Sequence, residues 1–394
     1  MVESGRRGSY ENLSRSRSLA LGPVRIMTMG TRQEQEDAST EVTEVAKDVL
    51  RMQLPISMPG LGHVNCYALI DGDGAAVVDP GLPTPGSFAA LQDRLRQAGL
   101  KVKNIHTVIV THSHADHFGG TGRIVKESGA RVIAHRAFSF GGAPAEPEVS
   151  VDDLHAHGHS HGVQAPGVEE FGKRSPIVVK SSSKGWKGKT PWGGEKPKPP
   201  LKMRLRWQAM RLVGRAMSFP PITDPVDQGD VVRLAGREWF VLHTPGHTND
   251  HFCLHNAEDG MFLAGDHVLP TITPHISGLS MEKDPLAAFF DSLDRAAALP
   301  HVDLALPAHG HPFDDLAARC EAIKTHHDER LDKVKAIARE LGPATVQAFS
   351  RKLFRERSWG SMAESETYAH LEHIRLLGDA ERRSNGRGQL LYEI

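Results

Sequence analysis

Residues 111–117 read Thr-His-Ser-His-Ala-Asp-His and directly follow the apolar run Val108–Val110. The apolar run predicts a buried strand and the next residues begin a predicted helix, so the segment is a strand-to-helix turn. Its four ligand-type side chains fall within six residues: His112, His114, Asp116 and His117. The first two imidazoles alternate along extended backbone and therefore point to one side. Such a cluster suits zinc better than magnesium or calcium, so the segment predicts a metal site.

Three further ligand candidates lie far along the chain, and each follows a predicted strand: His247, Asp266 and His309. They occur in Thr-Pro-Gly-His-Thr, Ala-Gly-Asp-His and Pro-Ala-His-Gly, respectively. Taken singly, a histidine at a strand end is more often a surface or capping residue. Metal and catalytic residues are commonly carried on loops at the ends of strands, so these four segments together favour one shared metal site.

Strands alternate with helices along most of the chain, which predicts an α/β layered fold. Strands are predicted at Cys66–Ile70, Ala75–Asp79, Thr107–Val110, Arg131–Ala134, Val231–Leu234, Glu238–His243, Phe252–His255, Met261–Ala264 and Val302–Leu306. Helices are predicted at Ser87–Ala98, Ala115–Ser128, Pro285–Ala298 and Asp314–Leu341. Gly342 and Pro343 end the last of these helices.

The domain boundaries follow from changes in composition. Residues 1–45 are rich in Ser, Arg, Glu and Thr, and we expect a mostly disordered tail. Residues 46–312 form the expected catalytic domain, interrupted by a Gly-, Pro-, Ser- and Lys-rich insertion at 141–222. Residues 313–394 are expected to form a small helical module of winged-helix type, with a β-rich end at Gln389–Ile394.

These motifs, together with Val-Val-Asp-Pro-Gly at 77–81, resemble those of the metallo-β-lactamase superfamily from about residue 55 to 312, the insertion excepted. The resemblance implies an αββα sandwich with a dinuclear metal site. It implies that one ion is held by His112, His114 and His247. The second ion would be held by Asp116, His117 and His309, with Asp266 bridging the two. Asp79 resembles the family's buried aspartate outside the ligand set. We expect Asp79 to fix a ligand imidazole by a hydrogen bond and not to touch metal.

Within that superfamily, Thr-Pro-Gly-His-Thr followed by His251, and the late Leu-Pro-Ala-His-Gly, look most like the glyoxalase II group. His251 is expected either to support the ligands from outside the metal site or to be an ordinary strand residue. Tyr368–His373 resembles part of the winged-helix-like extension of a subgroup that includes lactamase-like endoribonucleases. The chain departs from the family pattern in its long insertion and in Asn249-Asp250, which stands where Pro-Gly is often found.

The expected activity is hydrolysis of an ester or thioester by a hydroxide that bridges two zinc ions per chain, with iron or manganese as alternative metals. Asp116 is the expected catalytic residue, since its spare carboxylate oxygen can orient the water and carry its proton. An endoribonuclease is the main alternative, and a mononuclear iron persulfide dioxygenase is a weaker one. A non-enzymatic role requires a broken ligand set, whereas every ligand is present here.

The composition of the chain limits the classes of partner and the compartment that we expect. The net charge of −1 excludes global attraction to nucleic acid or membrane, and no apolar run is long enough to span a bilayer. Three cysteines fit a reducing compartment, so we expect a cytoplasmic protein. Residues 172–215 carry thirteen basic side chains, one acidic side chain and three tryptophans, so this segment predicts attraction to the phosphates of coenzyme A, RNA or a lipid headgroup, or is a solvated arm. The His-rich segment 155–161 either buffers metal or is a flexible loop.

Overall fold

Two β-sheets packed face to face organise the protein. The computed structural model describes residues 32–58, 60–72, 74–139, 172, 174–179, 190–193, 219–280 and 282–394. The first 31 residues, the His-rich segment 155–161 and most of the basic segment 172–215 lie outside these described residues. Among the described residues, no helix is both long enough and apolar enough to cross a membrane.

The first sheet has seven strands that lie side by side in chain order. They are β1 (Val42–Ala46), β2 (Val49–Met58), β3 (Leu61–Asp71), β4 (Gly74–Val78), β5 (Ile105–Val110), β6 (Arg131–His135) and β7 (Asp224–Val226). The first four strands pair antiparallel, and the pairs from β4 to β7 are parallel. β5 is therefore an inner strand, and its carboxyl end delivers residues 111–117 to the edge of the sheet.

The second sheet has five strands in the order β12-β11-β10-β9-β8. They are β8 (Val231–Leu234), β9 (Arg237–His243), β10 (Phe252–Asn256), β11 (Met261–Gly265) and β12 (Leu304–Pro307). β9, β11 and β12 run in the same direction, since β10 is antiparallel to both neighbours and β11 pairs parallel with β12. The carboxyl ends of these three strands therefore lie at one edge, and His247, Asp266 and His309 follow them.

Helices cover the outer faces of both sheets. Helices α1 (Pro85–Gln97), α2 (Ala115–Phe118) and α3 (Thr121–Ser128) follow strands of the first sheet, and side chains of α1 and α3 pack on its outer face. Helices α4 (Pro285–Ala297) and α5 (Leu316–Leu341) pack on the second sheet. Between the sheets lies an apolar layer that includes Trp239, Phe252 and Leu254. The αββα sandwich expected from the resemblance is therefore confirmed.

A small C-terminal module completes the fold. It consists of the second half of α5, β13 (Ala344–Thr345), α6 (Val346–Leu353), α7 (Ser361–Leu376), β14 (Glu381–Ser384) and β15 (Leu390–Glu393). Its three strands form a separate sheet in the order β13-β15-β14. Helix α5 is shared, since Ile323 packs on the second sheet and Val334 packs in the module core. Trp192, from the segment interpreted as an insertion, is buried in that core.

The structure differs from the sequence expectations near the amino terminus. Of the expected tail 1–45, residues 32–45 are ordered and include a 3-10 turn at Gln33–Gln35 and most of β1. The buried Glu34 explains this order, because its carboxylate accepts hydrogen bonds from the backbone N–H groups of Thr271 and Ile272. The alternating pattern in this segment is too short to predict a strand. The contact that holds the segment is made with a distant loop, so the local sequence does not reveal it.

The helix expected over Ala115–Ser128 is interrupted at Gly119 and Gly120. The N–H of Gly120 donates to the carbonyl of Gly81, so it is not available to continue the helix. A Cβ on Gly120 would lie 2.3 Å from the carbonyl oxygen of Pro80, so the close approach of the two loops requires glycine. The break brings the metal-ligand turn against the loop that follows β4.

The intersheet layer sets a test of the fold. Leu254→Ala removes a side chain that is 1% exposed in the middle strand of the second sheet, so we expect the free energy of unfolding to fall by about 2–5 kcal/mol. The matched variant Leu377→Ala, at a position that is 63% exposed, is expected to change it by no more than about 0.5 kcal/mol. Urea unfolding measures both, and equal losses would contradict the assignment of Leu254 to the core.

Candidate metal centre

One group of ligand atoms forms where β5 and β9 end. His112 Nε2 lies 3.0 Å from His114 Nδ1, which lies 3.1 Å from His247 Nε2. The carboxylate oxygen Oδ2 of Asp266 lies 3.8 Å from His112 Nε2 and 3.6 Å from His247 Nε2. His114 is exposed, whereas the other three residues of the group are buried. Three imidazole nitrogens and one carboxylate oxygen thus surround one point, as the sequence predicted.

A second group lies on the other side of Asp266. His117 Nε2 is 3.6 Å from Asp116 Oδ2 and 3.5 Å from Asp266 Oδ2. His309 Nε2 is likewise 3.6 Å from Asp116 Oδ2, and it is 3.3 Å from Asp266 Oδ1. The Asp266 carboxylate therefore faces both groups, and each group corresponds to one ion position that the resemblance implies. All seven residues expected to bind metal are brought together.

The residues present fit a pair of divalent cations. Among the described residues, two sets of side chains could hold an ion, and they are the two groups above. His117 Nε2, His309 Nε2 and Asp266 Oδ1 are buried and have no hydrogen-bond partner among the residues that the structure describes. Buried polar atoms without partners are costly, and a bound metal ion satisfies them. Sets of three or four histidine and carboxylate ligands are typical of zinc sites.

The two groups differ in their protonation. Burial, reinforced by neighbouring imidazoles, holds the pKa of His112 well below the usual histidine value. The pKa of His114 is lowered in the same way, because its ring is desolvated between His112 and His247 although the residue as a whole is exposed. Burial acts in the same direction on His117 and His309, but the Asp266 and Asp116 carboxylates outweigh it and raise the pKa of both imidazoles. The Asp266 carboxyl shows the reciprocal effect, since His309 and His117 overcome burial and hold its pKa well below the usual range.

Asp79 reaches one imidazole of each group, directly in one group and through the Thr111 hydroxyl in the other. Its Oδ2 accepts hydrogen bonds from His117 Nδ1 at 2.8 Å and from the Thr111 hydroxyl at 2.8 Å. The Thr111 oxygen lies 3.1 Å from His112 Nδ1, so the same carboxylate reaches one imidazole of each group. Asp79 does not belong to either ligand set. These contacts agree with the expectation that it orients an imidazole and leaves its Nε2 free for metal.

His251 contacts the backbone of the bridging aspartate. Its Nε2 accepts a hydrogen bond from the Asp266 N–H at 3.0 Å, and its Nδ1 lies 2.7 Å from the Thr244 hydroxyl. Gly265 lies at a φ of +51°, and a Cβ there would come within 2.6 Å of His251 Nε2. The glycine in Ala-Gly-Asp-His therefore allows His251 to approach Asp266. His251 directly precedes β10.

Several contacts of the ligands could not be found from the motifs, because they use backbone carbonyls. His309 Nδ1 donates to the carbonyl of His63 at 2.6 Å. His247 Nδ1 donates to the carbonyl of His275 at 2.8 Å. Asn65 supports the His309 loop, because its side-chain amide donates to the carbonyls of Pro307 and Gly310. A backbone acceptor has no residue-type signature in a sequence.

The Asn249-Asp250 pair, where the sequence departs from the family pattern, lies beside the ligand turn. Asp250 Oδ1 accepts a hydrogen bond from the hydroxyl of Ser113, which lies between the ligands His112 and His114. Burial raises the pKa of Asp250 to about 6. The pair therefore holds the ligand turn by a side-chain contact that Pro-Gly cannot make.

Comparisons with known proteins agree with this geometry. The family model described as the metallo-beta-lactamase superfamily matches residues 59–309. The Probable metallo-hydrolase YqjP of Bacillus subtilis (strain 168) is 24% identical over 349 residues, which cover 83% of this chain and 92% of that protein. The crystal structure of a metallo-beta-lactamase family protein from Thermus thermophilus aligns with a TM-score of 0.64 and 26% identity, covering 89% of this chain and 100% of that one.

Two shorter matches carry more specific names. A hydroxyacylglutathione hydrolase of Maricaulis maris (strain MCS10) is 39% identical over 82 residues, which cover 21% of this chain and 30% of that protein. An atrochrysone carboxyl ACP thioesterase of Emericella nidulans is 30% identical over 144 residues, which cover 34% of this chain and 44% of that protein. The chain thus spans less than half the length of these two relatives.

The difference in protonation predicts proton release when metal binds. The raised pKa values of His117 and His309 favour their protonated forms in the metal-free protein, whereas the lowered pKa values of His112 and His114 favour the neutral forms. Zinc at the second group must displace the protons that these imidazoles hold, so it should release more protons than zinc at the first group. Its affinity should therefore rise with pH, by about tenfold per pH unit for each proton displaced, while the first group changes little.

Calorimetric zinc titrations in two buffers of different ionisation enthalpy measure this release. The heat of one binding step should depend on the buffer more strongly than the heat of the other, and His309→Gln, which removes a ligand of the second group, should weaken or abolish that step. Equal heats in both buffers for both steps would contradict the difference in protonation.

Proposed function

Because this chain is a hydrolase of the metallo-beta-lactamase superfamily, we propose that it is a dinuclear zinc enzyme that hydrolyses an acyl thioester or ester. The observation that carries the proposal is the Asp266 carboxylate lying between two complete groups of ligand atoms. Bound zinc ions would lower the pKa of a water molecule toward neutrality and polarise the scissile carbonyl. Iron and manganese are the alternative metals for the same ligands.

The surrounding side chains have distinct roles in this proposal. Asp116 is 3% exposed, and its Oδ2 is equally distant from His117 and His309, so the carboxylate is suited to orient the attacking water and to accept its proton. Asp79 and His251 are positioning residues. Asp79 orients imidazoles of both groups, and His251 fixes the backbone of Asp266. No nucleophilic serine or cysteine is needed for this chemistry.

A thioester substrate is favoured by two related features of the sequence. The motif Thr-Pro-Gly-His-Thr at 244–248 resembles that of the glyoxalase II group. The two relatives with the shorter matches are named hydroxyacylglutathione hydrolase and atrochrysone carboxyl ACP thioesterase. We further propose a phosphate-bearing acyl group or carrier, attracted by the basic segment 172–215. The cytoplasmic location expected from the sequence is consistent with three cysteines that are all free and buried.

RNA cleavage is the alternative function, and it is considered because of the form of the C-terminal module. The module's order of helix, strand, two helices and two strands is interpreted as winged-helix-like, and such modules serve either as nucleic-acid binders or as packing elements. Here α7 packs against α4 and α5, which favours the packing role. A mononuclear iron dioxygenase would leave the second group of ligands without a purpose.

A substrate panel tests the proposal. The zinc-loaded protein is expected to hydrolyse acyl thioesters, of glutathione and of coenzyme A, faster than it cleaves single-stranded RNA. His112→Ala should lower kcat/KM by at least about 10³-fold, because it removes a metal ligand from the buried site. The matched control is His106→Ala, an exposed histidine on β5, the strand that precedes His112, and this variant should retain the activity of the unaltered protein.

The outcomes separate the candidates. RNA cleavage that exceeds thioester hydrolysis and is lost in His112→Ala would replace the proposed substrate with the alternative. Thioester hydrolysis that survives His112→Ala would overturn the proposed metal chemistry.

A further inference from the structure

A loop between β11 and α4 carries a contact that the metal chemistry alone does not explain. This loop includes His275, whose carbonyl accepts the hydrogen bond from His247 Nδ1 at 2.8 Å. That bond keeps the proton on Nδ1 and turns Nε2 of His247 toward Asp266, 3.6 Å away. The position of the His275 backbone therefore sets the orientation of one imidazole of the first group.

The side chain of His275 points to the C-terminal module. Its Nδ1 lies 3.2 Å from Oε2 of Glu366 in the middle of α7, so the imidazole donates to the carboxylate. The other oxygen of Glu366 forms an ion pair with Arg330 of α5. Burial and the nearby Arg330 lower the pKa of His275 to about 4, so its imidazole is a neutral donor at neutral pH. The chain of contacts runs from Arg330 through Glu366 and His275 to the ligand His247.

Neighbouring contacts hold the same loop against the same helix. The N–H of Gly278 donates to the Ser365 hydroxyl at 3.1 Å, and a Cβ on Gly278 would come within 2.6 Å of the Ser365 carbonyl oxygen. At the end of the loop, His373 Nδ1 lies 2.9 Å from Asp284 Oδ2, and Asp284 caps α4. The loop is therefore fixed from α7 at three points, and the Glu366 contact is the one made with His275, whose carbonyl holds the metal ligand.

We propose that Glu366, held by Arg330, is a positioning residue for the metal ligand His247, and that the C-terminal module thereby tunes metal affinity at the first group. The inference rests on the proposed metal centre. An ion pair that is largely shielded from solvent is restrained when each partner is hydrogen-bonded, so the Glu366 carboxylate offers His275 a fixed acceptor. Contacts behind a metal ligand restrict its orientation and contribute to affinity. The module is then part of the hydrolytic site, although it supplies none of the seven ligands.

A double-mutant cycle on Glu366 and His275 tests this coupling. Glu366→Ala and His275→Ala each remove the side-chain contact but keep the carbonyl of residue 275. Each should weaken zinc binding at one of the two sites by roughly three- to tenfold and leave the other site unchanged. The double variant should lose no more than either single variant, because both remove the same contact. Glu366→Gln, whose side-chain oxygen can still accept from His275, should restore most of the affinity.

The matched control is Glu364→Ala, on the same helix. The Glu364 carboxylate accepts from Trp192 Nε1 at 3.1 Å and from Gln347 Nε2 at 3.2 Å, and neither contact reaches the His275 loop. This variant should bind both zinc ions as the unaltered protein does, even if its melting temperature falls. Competition titrations with a zinc chelator measure the two affinities, and thermal unfolding of the metal-free proteins measures stability separately.

Unchanged zinc affinities in Glu366→Ala and His275→Ala would overturn the proposal and leave the contact as packing alone. Additive losses in the double variant would also overturn it, because the two side chains would then act independently. If Glu366→Ala does not fold, His275→Ala and Glu366→Gln still decide the matter. The unaltered protein serves as the separate test of the metal centre, since a failure to bind two zinc ions there would reject the proposed function and not the coupling.

Discussion

The Asp266 carboxylate is the constraint on which the rest of the site depends. It is buried, it stays ionised, and imidazoles of four histidines lie within 4 Å of its oxygens. Burying a charge without compensation is prohibitive, so the protein must gather cations around it. Without metal, the raised pKa values of His117 and His309 favour their protonated forms, which carry positive charge. With metal bound, the ions would supply the positive charge, and the same geometry would form the proposed dinuclear centre.

The sandwich solves the problem of bringing the ligands together. Strands β9, β11 and β12 run in one direction and end at one edge, and β5 of the facing sheet ends beside them. Support then comes from outside the ligand motifs: Asp79 from below, His251 behind Asp266, and backbone carbonyls for His247 and His309. The C-terminal module reaches the same edge through Glu366 and His275. Elements that are distant in sequence thus restrict the orientation of the imidazoles of His112, His117, His247 and His309.

The ligands could be predicted from the sequence because each combines a metal-binding side chain with a preceding apolar run. The α/β class followed from the alternation of strands and helices, and the αββα sandwich from the resemblance to the family. The segment from residue 32, with most of β1, was missed because it is held by Glu34 bonding to a loop more than 200 residues away. Strand β2 was missed although Leu50, Met52, Leu54 and Ile56 alternate toward the core and could have predicted it. His63, His275 and Glu366 were missed for a related reason. They act through backbone carbonyls or through contacts between elements, and neither leaves a periodic pattern in the chain.

Anomalous X-ray scattering at the zinc edge, from crystals of the zinc-loaded protein, would locate the ions themselves. We expect two strong peaks about 3.5–4 Å apart, with Asp266 between them and three histidines, His112, His114 and His247, around one of them. His117, His309 and Asp116 should surround the other. A single peak, or peaks away from Asp266, would contradict a dinuclear centre built on this carboxylate.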